Sequence, residues 1–394
     1  MKSPLECIRS DRLGLGPSCL LIIALVLVFG LVLSFRRFFF GLGAVTALND
    51  YQPWGLWVGF DVICGVALAA GGFVLTALVF LLNYEHYKPM LRATVLTAFL
   101  GYAMEGVGLF FDLGKPWNIW HPIIMWNPQS VMFVVAWCVM LIATFLALGF
   151  SPAVLDKFAL TRARKLVRAF TTVLVLAGIL LSIVHQSSLG TLFLIVPGKL
   201  HPLWYSPLLP LHFFLSAVTV GFAMVIVESS ISHSLFRKSL DTRILAELGQ
   251  FMLVCLAITL AVRFQDLWHR VEPGIYLDGS LESWAFLLEN ACFILPLALM
   301  TGFRNRMKRS VLLLSAALTV LAVVINRLNV SITGLARSGQ YSYFPTLEEF
   351  GVSLFLVASG FIVFILCLKY FPVFPREETD TSPRAQGREL KHTT

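Results

Sequence analysis

The chain has 394 residues, of which 58% are hydrophobic and 13% charged, and it carries a formal charge of +8. A soluble domain would carry roughly 25% charge, so a water-soluble globular enzyme is excluded. The basic residues fall in short stretches between long apolar runs, which is how topology signals are distributed, and this excludes a nucleic-acid-binding face.

After a short N-terminal segment, 1–17, ten apolar runs follow in order. They cover 18–35, 54–83, 92–112, 130–150, 168–190, 207–231, 246–267, 282–303, 309–329 and 349–371. Runs of about 18 or more apolar residues are long enough to cross a bilayer as helices. The first run continues into Arg36-Arg37 without a small-residue cleavage site and reads as an uncleaved span. The second is long enough to tilt or protrude. Residues 372–394 are polar and are expected to form a disordered tail. The predicted fold is all-α: an integral membrane domain over 18–371 with about ten transmembrane helices.

An even number of spans puts both termini on one side. About 22 of the Lys and Arg residues lie on that side and about seven on the other, Arg36, Arg37, Arg270 and Arg327 among the seven. This asymmetry predicts cytoplasmic termini and a place in the inner (cytoplasmic) membrane, in contact with lipid. The opposite loops are longer and rich in Gly, Pro, Trp and Tyr, as in Lys115-Pro116-Trp117-Asn118-Ile119-Trp120-His121-Pro122. They suit an interfacial aromatic belt and a docking platform for an extracytoplasmic partner alike. Six of the seven cysteines lie inside apolar runs and none forms CxxC or CxxCH, so no iron–sulfur, zinc or c-type haem ligation is predicted.

Ionisable groups within a bilayer are costly and point to function. Asp61 falls about two turns inside the outer end of the second run, and Glu105 at about the same depth in the third, which ends at Asp112. His185 and His212 lie near the outer ends of the fifth and sixth. Arg263 and Asp266 close the seventh, Glu289 and Asn290 lie about two turns into the eighth, and Asn326 and Arg327 end the ninth. Glu228 and Glu247 sit instead toward the inner surface. Asp112, Asp266 and Arg327 also fit simple interfacial positions. Taken together the groups predict a polar cavity opening outward, which suits a quinone. Histidine can donate to a carbonyl and exchange a proton, a carboxylate can restore that proton, and arginine can steady the pair.

At these residues the chain resembles the polysulfide-reductase membrane-subunit (NrfD-like) superfamily. Within it, the chain is similar to the ten-helix branch that includes the hydrogenase-2 b-type subunit and DsrP-like subunits. The likeness covers most of 40–371. It rests on Gly41-Leu42-Gly43-Ala44-Val45 with Asn49, Pro53-Trp54-Gly55-Leu56-Trp57 with Phe60-Asp61, and Asp112-Leu113-Gly114-Lys115. His185-Gln186-Ser187-Ser188-Leu189-Gly190, His201-Pro202-Leu203-Trp204, Val262-Arg263-Phe264-Gln265-Asp266 and Tyr343-Phe344-Pro345-Thr346 with Glu348-Glu349 complete it. The resemblance implies two four-helix bundles, spans two to five and six to nine, with the first and last spans outside. It also implies menaquinone near the extracytoplasmic side, a docked ferredoxin-like iron–sulfur protein, and no haem or iron–sulfur cluster in this chain.

The leading expectation is therefore a quinone-reactive subunit of a respiratory oxidoreductase. His185 and Asp61 are its site groups, with Glu105, Asp112, His212, Arg263, Glu289 and Glu228 as quinone-binding or proton-route residues and no metal. A haem b cytochrome ligated by His185 and His212 is the second reading, and a transporter the third, although transport sites usually lie near the midplane.

Overall fold

The computed structural model describes residues 17–49, 52, 54–195, 198–236, 242–302, 307–335 and 343–371. The expectations for 1–16, for Asp50, Tyr51 and Pro53, for the basic residues Arg237, Lys238, Arg304, Arg306 and Arg337, and for the tail 372–394 lie outside these. Among the described residues the regular structure is helical, with ten helices long and apolar enough to cross a membrane. They are α1 (Pro17–Phe40), α2 (Trp57–Phe80), α3 (Lys88–Asp112), α4 (Val131–Lys157), α5 (Thr171–Leu192), α6 (Leu209–Phe236), α7 (Thr242–Arg270), α8 (Leu281–Leu299), α9 (Arg309–Thr333) and α10 (Leu347–Tyr370). Each coincides with one apolar run of the sequence.

The helices pack as two rings of four. In the first, α2 touches α3, α3 touches α4, α4 touches α5, and α5 closes back onto α2. In the second, α6 to α9 form a similar circuit, α6 meeting both α7 and α9. The rings join where α6 packs on α2 and α5. Helix α2 is accordingly the central element, 78% buried over its most apolar stretch, whereas α1 and α10 pair outside the rings at 17% and 22%.

Close approach between the rings depends on two glycine sites. At the α2–α6 crossing, a Cβ on Gly71 would stand 3.0 Å from the Gly221 carbonyl, and one on Gly221 would stand 2.8 Å from Val74. At the aromatic-loop end, a Cβ on Gly190 would lie 2.7 Å from the Leu209 carbonyl. Without hydrophobic drive between helices in lipid, such small-residue contacts provide dispersion through backbone proximity.

Helix α1 runs five residues beyond the predicted limit, so Arg36 and Arg37 are helical and not in a loop. The reason is electrostatic. Arg37 is buried and donates from Nε to the Phe111 carbonyl and from Nη2 to the Leu113 carbonyl, both at 2.6 Å. These carbonyls close α3, where the unpaired C=O groups hold partial negative charge. Arg36 reaches the Ala44 carbonyl at 3.0 Å and Glu348 at 3.5 Å.

The start of α10 is fixed by a capping box. Thr346 Oγ1 accepts from the Glu349 N–H, and the Glu349 carboxylate accepts in return from the Thr346 N–H. Glu349 also accepts from the Ala47 N–H at 2.8 Å and from the Tyr343 hydroxyl, which itself accepts from the Leu56 N–H at 2.9 Å. Burial first, and then this carboxylate, push the Tyr343 phenol pKa up. One acid thus ties together the start of α10, the loop after α1 and the entrance of α2.

Two π-helical turns interrupt the α-geometry, Trp57–Cys64 at the start of α2 and Asn329–Thr333 at the end of α9. They touch through Gly59 and Ser331. Such turns are rare and cluster at functional sites; here they carry Asp61 and Asn329.

Candidate quinone site

The buried charged residues inside the two rings sort into three groups, all toward the end of the molecule that bears the aromatic loops. The first lies inside the α2–α5 ring. His185 of α5 and Glu105 of α3 are both fully buried and hydrogen-bond through Nε2 and Oε1 at 3.1 Å. The Tyr102 ring, one turn before Glu105, lies 5.6 Å from the imidazole. Gln186 donates to the Val66 carbonyl at 3.1 Å, joining α5 to α2. Glu105 Oε2 is buried without a hydrogen-bond partner among the described residues, while the Tyr102 hydroxyl lies beside Ser182 and Gln186 and the His185 ring beside Cys138. Buried polar atoms are nearly always paired, so a carboxylate oxygen left open inside the ring marks a place where a further group can be received.

Asp61 and Asp112 form a second group beside the first. Asp61, on the π-turn of α2, accepts from Ser353 Oγ of α10 at 2.6 Å. It does not pair with His185, whose carboxylate partner is Glu105. Asp61 is nevertheless close to that pair, because Gly108, one turn after Glu105, packs against it. Asp112 ends α3 next to the carbonyls that Arg37 holds, and its Oδ1 is buried without a partner among the described residues.

The third group fills the α6–α9 ring around Glu289, which is fully buried. Its Oε1 accepts from Asn326 at 2.7 Å and from Arg263. Its Oε2 accepts from Trp204 Nε1 at 2.9 Å and Asn329 at 2.8 Å. The Arg263 guanidinium also lies over the Phe286 and Phe293 rings at 5.4 and 5.5 Å, a cation–π setting. Arg327 is not interfacial. It is fully buried and donates to the Phe213 carbonyl at 3.0 Å, Ser216 Oγ at 2.8 Å and Asn326 Oδ1 at 2.7 Å. A cation held by three acceptors and the Phe213 ring needs no exposure to water.

His212 sits at the edge of this third group. Its Nε2 is 3.2 Å from Asp266, which is also gripped by Arg270 at 2.8 and 2.9 Å. Arg270 in turn donates to the Pro202 and Tyr205 carbonyls, anchoring α7 to the loop before α6. Asp266 is therefore a structured acceptor and not a surface charge. The His212 side chain keeps 16% of its exposure and lines a cavity of about 40 Å³ with Arg263, Asp266, Phe293 and Val330.

Glu228 stands apart. It lies on α6 about two turns from the opposite, basic end and accepts from Thr97 Oγ1 of α3 at 2.9 Å. No group of three or more His, Cys, Asp or Glu arranged to hold a metal occurs among the described residues. His185 and His212 belong to different rings, and each Nε2 faces its own carboxylate. The sequence reading missed Trp204, Asn329, Arg37 and Tyr102. Trp204 and the Tyr343–Glu349 pair lie within quoted motifs, so a signal existed without a role attached. Tyr102 and Arg37 gave none.

The polysulphide reductase, NrfD family model matches residues 44–339. A protein of Nitratidesulfovibrio vulgaris is 37% identical over 90% of this chain and 93% of its own length. The probable Ni/Fe-hydrogenase 2 b-type cytochrome subunit of Escherichia coli is 31% identical over 89% and 92%. The integral membrane subunit of a menaquinone reductase, also from N. vulgaris, is 29% identical over 90% and 91%.

Proposed function

The chain belongs to the polysulphide reductase NrfD family, and from that premise we propose that it is the quinone-reactive membrane subunit of a respiratory oxidoreductase complex. It passes two electrons between menaquinone and an extracytoplasmic ferredoxin-like iron–sulfur protein docked on the aromatic loops, while the two protons pass between the quinone and water through its own side chains. The basic end of the bundle faces the cytoplasm, with the chain in the inner membrane. Relatives named as a menaquinone reductase subunit and a hydrogenase subunit support this placement within a larger complex.

The observation that carries the reading is His212 at a cavity edge, backed by Asp266 and Arg270. With Nε2–H given to Asp266, the neutral imidazole offers Nδ1 as the acceptor of a quinol hydroxyl proton, and the imidazolium so formed offers Nδ1–H to a quinone carbonyl. Apolar walls from Phe293 and Val330 suit the ring, and Arg263 with Glu289 holds the local charge. The sealed His185–Glu105 pair does not touch the ring; it stores and relays the proton, with Asp61 and Asp112 as its way out to the aromatic end. The reading assigns no haem to this chain.

Titration of the purified chain in detergent with a fluorescent quinol analogue tests this. Saturable quenching is expected, weakened about tenfold or more, at least 1.4 kcal/mol, in His212→Ala. His185→Ala should leave affinity within about threefold, since it removes a relay and not a contact. Absence of saturable quenching in the wild type would sink the reading, as would a haem band in the reduced-minus-oxidised spectrum. Glu228, half-buried near the basic end, extends the proposal to charge movement from the cytoplasm; proton translocation left unaltered by Glu228→Gln removes that extension.

A further inference from the structure

Helix α4 ends at Lys157 and α5 begins at Thr171. Between them Ala159 adopts φ +55°, a left-handed conformation that a residue with a Cβ rarely takes. That turn leads the chain out of α4 into a separate helix, Thr161–Ala169, which reads Thr-Arg-Ala-Arg-Lys-Leu-Val-Arg-Ala. Arg164 fastens this helix to the end of α4 through Asp156 at 2.8 Å. The helix stops before Phe170, and α5 then starts its passage through the bilayer.

Helical spacing divides its surface into stripes. Leu166 and Phe170, four residues apart, share one stripe and are 62% and 55% exposed. Leu160, in the turn before the helix, is exposed as well. Arg162 and Lys165, three apart, share the adjoining stripe; both are exposed, and neither meets an acceptor among the described residues. Lys157, by contrast, is already engaged, lying over the Tyr370 and Phe371 rings at 5.2 and 5.1 Å. Because α4 and α5 both leave the bilayer here, hydrocarbon lies next to the exposed leucine and phenylalanine. A basic amphipathic helix in that place has acyl chains within reach of one stripe and headgroups within reach of the other.

We propose that Thr161–Ala169 is a lipid-binding element that lies flat in the headgroup layer at the basic end of the molecule. Leu166 and Phe170 enter the acyl region, and Arg162 and Lys165 take the phosphates of anionic phospholipid. Charge complementarity selects that occupant, since each cation at a membrane surface adds attraction for anionic lipid. A water-soluble acidic partner would match the cations alone and leave the apolar stripe without a counterpart. The element lies at the opposite end from the quinone groups and does not depend on the function assigned to them.

Fluorescence quenching of the full chain in nanodiscs tests this, with a coumarin amino acid in place of Leu166 or, on the opposite face, of Thr161. Phosphatidylcholine with a nitroxide on its acyl chain should quench the probe at 166 about threefold or more above that at 161, given a helix diameter of about 10 Å. Nitroxide-labelled phosphatidylglycerol, at the same small fraction, should quench the probe at 166 further, reporting local enrichment of about tenfold. Arg162→Gln with Lys165→Gln should bring phosphatidylglycerol down to the level of phosphatidylcholine and leave the acyl-chain quenching in place. Equal, weak quenching at 161 and 166 would put the helix in water as a face for a soluble partner, and overturns the proposal. Equal quenching by the two lipids in the otherwise unaltered chain overturns it too. So does loss of the enrichment on adding inorganic phosphate at constant ionic strength, which would make the cations a free-phosphate site.

Discussion

Glu289→Ala is expected to lower the stability of the folded chain in detergent by about 3–5 kcal/mol, the cost of leaving one side of a buried ion pair uncompensated. The carboxylate is the shared acceptor for Arg263, Trp204, Asn326 and Asn329, and those donors come from α7, the loop before α6, and α9. Removing it strands a guanidinium and three N–H groups where no water replaces them. Glu289→Gln should cost less, since one oxygen still accepts while the new amide meets a donor. A double change of Arg263 and Glu289 to methionine should be milder than Glu289→Ala alone, because it removes the stranded guanidinium and fills the space, leaving only the three N–H groups without their acceptor. Thermal unfolding of the three variants checks the order. Wild-type unfolding of Glu289→Ala would show that the network does not hold the second ring together.

Glu105→Gln is expected to cut quinone turnover by the intact complex by about 10² or more, with affinity for quinol within about threefold. General acid–base transfer contributes roughly 10²–10⁴ to a rate, and an amide of the same shape cannot carry the proton. The pair is sealed from solvent, with Glu105 Oε2 free of protein partners among the described residues, so a proton leaving His185 Nε2 has Glu105 as its immediate acceptor. Asp61→Asn, one packing layer further, should slow turnover less, by about tenfold, within the same range of proton-transfer effects. Steady-state turnover alongside quinol titration separates the two effects. Unchanged turnover in Glu105→Gln would assign the pair to structure alone.

All ten spans were legible in the sequence because lipid demands long apolar runs, and length alone distinguishes them from soluble core segments. The collection of Asp61, Glu105, His185, Glu289 and Arg263 toward one end was equally legible, because helix depth follows from a fixed rise per residue. Depth says nothing of azimuth, however. His185 and Asp61 share a depth but face different partners, and only packing decides that Glu105 takes the histidine. The π-turns left no trace either: an extra residue in a turn of apolar sequence has no composition. Arg37 looked like a loop charge and Arg327 like an interfacial helix end, because an isolated arginine is costly in lipid; carbonyls from a neighbouring helix, invisible along the chain, make both acceptable inside.

Arg37 also constrains how the molecule is assembled. Its acceptors lie 74 residues or more downstream, and Ala47, just past the same helix, bonds to a glutamate 302 residues later. Translation therefore delivers α1 long before anything exists to hold it. A guanidinium alone in hydrocarbon costs about 2.5–3.5 kcal/mol at the helix centre, so until α3 emerges Arg37 must snorkel to the headgroups. The side-chain tie from Glu349 to the loop after α1 forms only when α10 arrives. Helix α1 thus enters the bilayer well before its partners and is locked only after α3 and α10 have followed it.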